Sequence, residues 1–247
     1  MALRGIDVSN WQPHVDWPAM KHSGVSFAYL KASEGTDFSD KMYSTHRRNA
    51  RAAGLVIGAY HFARPSTGSA KAQALHFLKV ADVHRGDLTP ALDLEVTGGL
   101  SPAHLVGWTA IFRDTVMHEV GVRPVIYTSP GFWSSAMANS RLFAACPLWV
   151  AHWGVGHPTL PAGWRDYAVW QYQGSPLDRD RAETLPLYRP DAPKPDGVLD
   201  KRFSPSMYVR FMRWLGKPAT KPDGVTRVRV LPAVWARFMD AVKHKKA

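Results

Sequence analysis

The strongest constraint on the fold is a repeated alternation. Short apolar, β-branched-rich runs are separated by stretches of helical composition. The runs cover residues 3–8, 25–32, 55–62, 89–96, 123–128, 147–152, 167–172 and 198–203. Between the first two, residues 15–22 have room for only a short helix. Residues 41–53 (closed by Gly54), 69–83, and the stretch from the N-cap Ser101 to Val120 (closed by Gly121) read as longer helices. Strand–helix alternation builds parallel sheets. Eight such runs argue for an α/β fold whose sheet closes into a (β/α) barrel, and 247 residues suit that closure. After Trp149 the segments are short and rich in loops, so the expected form is an irregular TIM-like barrel with reduced helices in its second half. An open doubly wound sheet is the alternative. No glycine-rich phosphate loop follows an early run, which argues against nucleotide chemistry.

Composition narrows the partners. The single cysteine, Cys146, excludes an internal disulfide framework and a Cys-based zinc site, and it reads as a small buried residue. A formal charge of +11 predicts attraction to something anionic: nucleic acid, a membrane surface or a cell-wall polymer. That charge is uneven. Residues 216–247 carry eight Lys/Arg against two Asp, whereas 1–215 carry 23 against 18. Residues 216–224 read as a linker, so a catalytic barrel over 1–215 and a linker with a basic, partly helical tail over 216–247 are expected. The first residues place Asp7 where a secretory signal has its apolar segment. There is also no apolar run of ~18 residues. Cytoplasmic synthesis without a signal peptide or transmembrane helix is therefore expected. Ten tryptophans are more than a fold of this size needs, and they make stacking surfaces for sugars or bases plausible.

Glutamate is scarce, present only at 34, 95, 119 and 183, so the string PALDLEV (90–96) stands out. On a strand, residues two apart share a face, which puts Asp93 and Glu95 together and turns Leu92, Leu94 and Val96 the other way. In a barrel both acids would enter the mouth at the strand's C-terminal end, where such folds place their active sites. Two adjacent carboxyls cannot both ionise freely, and that division of roles is what glycosidic cleavage needs. The same spacing also serves a solvated or salt-bridged pair. Asp7 ends the first run on the face opposite Ile6 and Val8, although alone it would read as a turn cap. Glu34 ends the second run, where substrate binding and a salt bridge to Lys31 are both open. In GAYHFAR (58–64), Tyr60 and Phe62 share one face and His61 takes the other. Trp11, Trp149, Trp153, Trp170 and Tyr172 also fall near strand ends, where rings can carry the apolar face of a sugar. Trp17, Trp108, Trp133 and Trp214 are assigned to packing. The eleven histidines include no H-E-x-x-H spacing, so no metal is expected.

Together these strings resemble one family. GIDVSNWQ (5–12), LKASEGT (30–36), GAYHF (58–62) and ALDLE (91–95) occur in the order seen in glycoside hydrolase family 25, the Chalaropsis-type lysozymes common among bacteriophage endolysins. PVIYT (124–128), LWVA (148–151) and WQY (170–172) resemble its later strands, so the likeness runs from about residue 4 to 203. The resemblance implies a modified (β/α) barrel that cleaves the β-1,4 bond between N-acetylmuramic acid and N-acetylglucosamine in peptidoglycan, without metal or cofactor. It implies Glu95 as proton donor, Asp93 as its acidic partner and Asp7 as an acid of the same groove. Substrate contacts are expected from Trp11, Glu34, Tyr60, Phe62, Tyr127, Trp149, Trp170 and Gln171. The family's last strand ends in an acid followed shortly by Asn and then Phe. Here GVLDKRF (197–203) lacks that Asn, leaving Asp200 as fourth acid with Asp196 as the weaker option. The expected partner is bacterial peptidoglycan, with residues 217–247 drawn to an anionic wall polymer or membrane surface. Nucleic acid is not expected and the enzyme is expected to be a monomer. As an endolysin it would be made in the host cytoplasm and released to the wall through a holin. The rivals are a glucosaminidase or chitinase-like glycosidase, a non-catalytic glycan-binding barrel, which the Asp93/Glu95 pair argues against, and a basic nucleic-acid-binding protein.

Overall fold

The structure is a computed structural model that describes residues 2–190, 199–214, 220 and 226–230, with the backbone alone for 199–203, 214 and 226–230. The first part of the chain runs β1 (Leu3–Val8), α1 (Trp17–His22), β2 (Val25–Glu34), β3 (Phe38–Ser39), α2 (Tyr43–Ala52), β4 (Val56–Phe62) and α3 (Ala70–Ala81). It continues through β5 (Ala91–Asp93), α4 (Pro102–Val120), β6 (Val125–Thr128), α5 (Pro130–Ala136), β7 (Leu148–Ala151), β8 (Val169–Gln173) and β9 (Arg179–Ala182). Then come β10 (Leu199–Phe203), α6 (Pro205–Trp214) and β11 (Thr226–Val230). The chain forms two compact units, Met1–Pro190 and Asp191–Ala247. The division thus falls at 190/191 and not at the expected 215/216.

In the first unit the strand order is β1-β9-β8-β7-β6-β5-β4-β2-β3, and β1 also pairs with β2. That second pairing closes the ring into an eight-stranded barrel, with β3 added as a short antiparallel flap on β2. The barrel is parallel except at β9, which is antiparallel to both β8 and β1. The connection from β8 to β9 is only residues 174–178, and a link that short joins antiparallel strands, because a parallel crossover needs a dozen residues or more. The strand at 198–203, expected to be the last of the barrel, is β10. It pairs with β11 in a separate two-stranded sheet of the second unit. Once β9 has closed the ring, no further strand is needed.

Helices cover the barrel unevenly, as expected. Ser69 caps α3 through the Ala72 N–H, and α4 starts at Ser101 with proline in its first turn and ends at Gly121 in the left-handed region. In the second half α5 has seven residues, and no helix is found between β7 and β8.

Two apolar clusters follow from strand alternation. Ile6, Val8, Ala28, Leu30, Ile57, Leu92, Leu94, Ile126, Leu148 and Val150 face outward, in the same cluster as Phe77, Leu105, Trp108 and Phe112 of α3 and α4. Phe27, Tyr29, Tyr60, Ala91, Val125, Tyr127, Trp149 and Val169 fill the barrel interior. Two inward positions must be glycine for these rings to fit. A Cβ on Gly5 would lie 2.3 Å from the Phe27 ring, and one on Gly58 would lie 2.6 Å from Leu88 Cβ and 2.7 Å from the Tyr29 ring.

Candidate active site

Above the interior rings, the C-terminal ends of the parallel strands enclose a groove of about 370 Å³. Each strand contributes through the face that points inward: Asp7 from β1, Lys31 from β2, Tyr60 and Phe62 from β4, Asp93 from β5, Tyr127 from β6, Trp149 from β7 and Gln171 from β8. Glu95 follows β5, and Asp178 immediately precedes β9, whose reversed direction brings its N-terminus to the same rim. Four carboxyls therefore converge: Asp7, Asp93, Glu95 and Asp178. The groove continues past Glu95 into a second depression lined by Ser129, Pro130, His152 and Trp153. Trp11 and Trp153, 80% and 55% exposed, stand at its rims, whereas Trp149 is buried and forms its floor. Trp149 stacks on Tyr29 with centroids 4.6 Å apart and meets Tyr127 edge-on at 4.7 Å.

Gln171 organises the Asp7 side. Its carbonyl accepts from the Tyr127 hydroxyl (3.0 Å) and from the Trp153 indole N–H (2.9 Å), which leaves its amide to donate to Asp7 Oδ2 at 2.8 Å. Asp180, wholly buried on β9, accepts the Trp149 indole N–H at 2.9 Å. Lys31 donates to Glu34 at 2.5 Å, and Arg64 donates to the other Glu34 oxygen at 2.6 Å.

These surroundings shift the acids differently. Burial foremost, then the charge of Asp180, holds the Asp7 carboxyl well above the usual range. Burial and then Glu95 do the same to Asp93, whose Oδ1 makes no hydrogen bond among the described residues. Glu95 is raised by burial although Lys31 and Arg64 pull it down. Burial and the Glu95 charge push Asp178 up to about 6. Burial also acts on Glu34, but the hydrogen bonds from Lys31 and Arg64 outweigh it and hold that carboxyl low. A cluster of acids inclined to keep protons in a concave, aromatic-lined groove is suited to proton transfer onto a polar ligand.

Residues 6–179 match the model of glycosyl hydrolases family 25. The chain belongs to this family. It is 38% identical over 183 residues to lysozyme M1 of Streptomyces globisporus, covering 70% of this chain but only 62% of that protein, less than two thirds of its length. It is 34% identical over 183 residues to the N,O-diacetylmuramidase of Chalaropsis sp, covering 68% of this chain and 87% of the relative. The bacterial lysozyme structure from Streptomyces coelicolor superposes with a TM-score of 0.72 at 35% identity, covering 75% of this chain and 94% of that one.

Within the family 25 groove, the structure gathers Asp7, Asp93, Glu95, Trp11, Tyr60, Phe62, Tyr127, Trp149 and Gln171. Two expected contacts lie elsewhere. Trp170, next to the inward Gln171, faces outward, is buried in the cluster between strands and helices, and donates to the His152 carbonyl. Glu34 is not in the groove lining and is held by its two cations. Tyr172 also packs outside, 6.1 Å from Trp170. His61 turns outward, between Ser33 Oγ and Gln73 Oε1. Asp200 lies on β10 in the second unit, with no side-chain description, and Asp196 lies outside the described residues. Among the described residues, the fourth acid that lines the groove is Asp178. Sequence reasoning missed Asp178 and Asp180, and took Lys31 only as a salt-bridge partner of Glu34 and not as a residue of the groove. The signal for the first two was present: D-x-D at 178–180 repeats the two-residue spacing of D-x-E at 93–95, on a segment too charged to read as a strand.

Proposed function

We propose that this chain is a peptidoglycan hydrolase, an N-acetylmuramidase that cleaves the β-1,4 bond between N-acetylmuramic acid and N-acetylglucosamine. The observation that carries the reading is the convergence of Asp7, Asp93, Glu95 and Asp178 in one groove floored by Trp149 and flanked by exposed Trp11 and Trp153. The names of the relatives, lysozyme M1 and N,O-diacetylmuramidase, support the same substrate. Glu95 stands where the two depressions meet, which suits a bond with sugars bound on both sides.

In this reading Glu95 holds its proton in a raised carboxyl and passes it to the leaving glycosidic oxygen as the C1–O bond breaks. Water then supplies hydroxyl to the anomeric carbon and returns a proton to Glu95. Asp93 either stabilises the positive charge that develops at that carbon or orients the substrate's 2-acetamido group towards it. Asp7 and Asp178 add negative field. The deciding experiment digests purified peptidoglycan with the wild type and with Glu95→Gln and identifies the new reducing ends by mass spectrometry. Muramic acid at those ends, with release reduced by about 10²–10⁴-fold in the variant, is the expected result. Glucosamine ends point to a glucosaminidase. Near-normal release by Glu95→Gln removes it from the acid role.

We further propose that the protein serves as a bacteriophage endolysin, made in the host cytoplasm, released to the wall through a holin, and acting there as a monomer in bacteriolysis. The 30% identity and TM-score of 0.60 to the CTP1L endolysin, over 74% of this chain and 66% of that one, support the role. Expression in a host with and without a co-expressed holin checks it: lysis is expected only with the holin.

A further inference from the structure

Asp180 is the acid the proposed reaction does not use. It sits on β9 directly opposite Gly5 of β1 and Gln171 of β8, on the inward face, with no solvent exposure. One oxygen accepts the Trp149 indole N–H. The other is buried and meets no donor among the described residues. The group within hydrogen-bonding reach of this carboxyl is Asp7 itself.

Two carboxylates in such contact repel each other unless a proton lies between them. Among the described residues, no cation acts on either carboxyl. Arg179 and Arg181, the neighbours of Asp180, occupy the other face of β9, where Arg181 lies over the Trp170 and Tyr172 rings. Elsewhere around the pair are the Asp178 and Asp93 carboxyls, the Gln171 amide, and Tyr29, whose hydroxyl is committed to the Thr89 carbonyl. One proton between the two carboxyls serves both. Asp7 lines the groove and receives the Gln171 amide on Oδ2. Asp180 is sealed, and its orphaned oxygen becomes satisfied once the shared proton lies against it.

We propose that Asp180 is a positioning residue for Asp7: its carboxyl accepts from Trp149 on one oxygen and shares a single proton with the Asp7 carboxyl through the other. Asp7 is then clamped between Asp180 and the Gln171 amide, and the floor ring Trp149 is tied to the same clamp. The role rests on the reading of this groove as the site of glycan hydrolysis. Burial foremost, reinforced by Asp178, holds the Asp180 carboxyl up to about 8, although its hydrogen bonds with Trp149 and with Asp7 pull it down. Above that pH the shared proton is lost and two buried charges face each other.

The test compares wild type, Asp180→Ala and Asp180→Asn. Asparagine keeps an acceptor for Trp149 and supplies an N–H donor for Asp7, and it cannot titrate. Asp180→Ala is expected to lower specific activity on peptidoglycan by about tenfold or more through loss of alignment. Asp180→Asn is expected to recover most of that loss and to carry activity to higher pH than the wild type. In parallel, the Trp149 indole N–H resonance of the intact protein is followed against pH. It is expected to titrate on the alkaline side in the wild type and to stay flat in Asp180→Asn. An asparagine variant as impaired as the alanine one, or one with the wild-type alkaline limb and indole titration, overturns the proposal. The resonance reads Asp180 without substrate, so a protein that fails to cleave peptidoglycan overturns the hydrolase reading and leaves this measurement decisive for the clamp.

Discussion

At the scale of single residues, the groove depends on how few donors serve many acids. Gln171 illustrates this: one buried amide spends its carbonyl on Tyr127 and Trp153 and its N–H on Asp7. Replacing it with leucine keeps the volume but leaves two buried polar groups, Tyr127 and Asp7, without their partner, each a loss of about 1–3 kcal/mol if nothing else satisfies it, and frees the exposed Trp153 indole. Gln171→Leu is therefore expected to lower hydrolytic activity by about tenfold or more and to destabilise the barrel. Tyr127→Phe removes one of two donors to the Gln171 carbonyl and is expected to have a smaller effect. Reducing-end release and thermal melts of both variants check the order. The acids of D-x-E were legible because period-two alternation fixes their common face whatever the neighbours do. The same rule separates Trp170 from Gln171: adjacent on β8, they cannot both face the groove, and residue type alone does not say which one does. What turns Gln171 inward is the register of β8 against its neighbours, which the local string does not carry.

At the scale of elements, the strands that were legible carry apolar residues on at least one face, and the one that was not carries charges. β9 is Arg-Asp-Arg-Ala, recognisable only by its neighbours: it fills the gap between β8 and β1, and the short loop before it dictates its direction. The run at 198–203 does form a strand, but the barrel is already closed, so its β propensity is satisfied in another sheet. Inside the barrel, β4 tests the packing argument. A methyl group on Gly58 meets Leu88 and Tyr29 at less than contact distance, so Gly58→Ala is expected to destabilise by about 1–3 kcal/mol, visible as a lower melting temperature. On the outer face of β4, His61 carries a pH dependence. Burial, only partly opposed by the Gln73 hydrogen bond, lowers its pKa from 6.5 to about 4. The unfolded chain therefore binds a proton there before the folded one does, and stability falls as pH drops from about 6.5 towards 4. The magnitude is on the order of 3 kcal/mol. His61→Gln removes this contribution, so the difference in unfolding free energy between wild type and variant is expected to shrink in the wild type's disfavour on acidification. Urea titrations at several pH values measure it, and a difference independent of pH contradicts the assignment.

At the scale of the whole molecule, charge and chemistry occupy different stretches of chain. The groove concentrates carboxyls, yet residues 1–215 are still net positive, and residues 216–247 add +6 of the total +11. An acidic groove gains nothing from an anionic wall; the attraction has to come from cations placed elsewhere. We propose that residues 217–247 hold the protein on anionic wall polymers or the membrane surface while the barrel acts on the glycan; such an attraction is screened as ionic strength rises. Removing 217–247 takes away eight cationic side chains and two acids. The truncated protein is expected to sediment less with purified cell walls at low salt, with the difference from the full chain closing as salt is raised. Its turnover on short soluble glycan fragments is expected to change little, because Asp7, Asp93, Glu95 and Asp178 all belong to the first unit. Equal wall binding by both forms across the salt series would place the attraction on the barrel's own surplus of cations. A parallel loss of turnover on soluble fragments would show instead that the second unit supports the catalytic one.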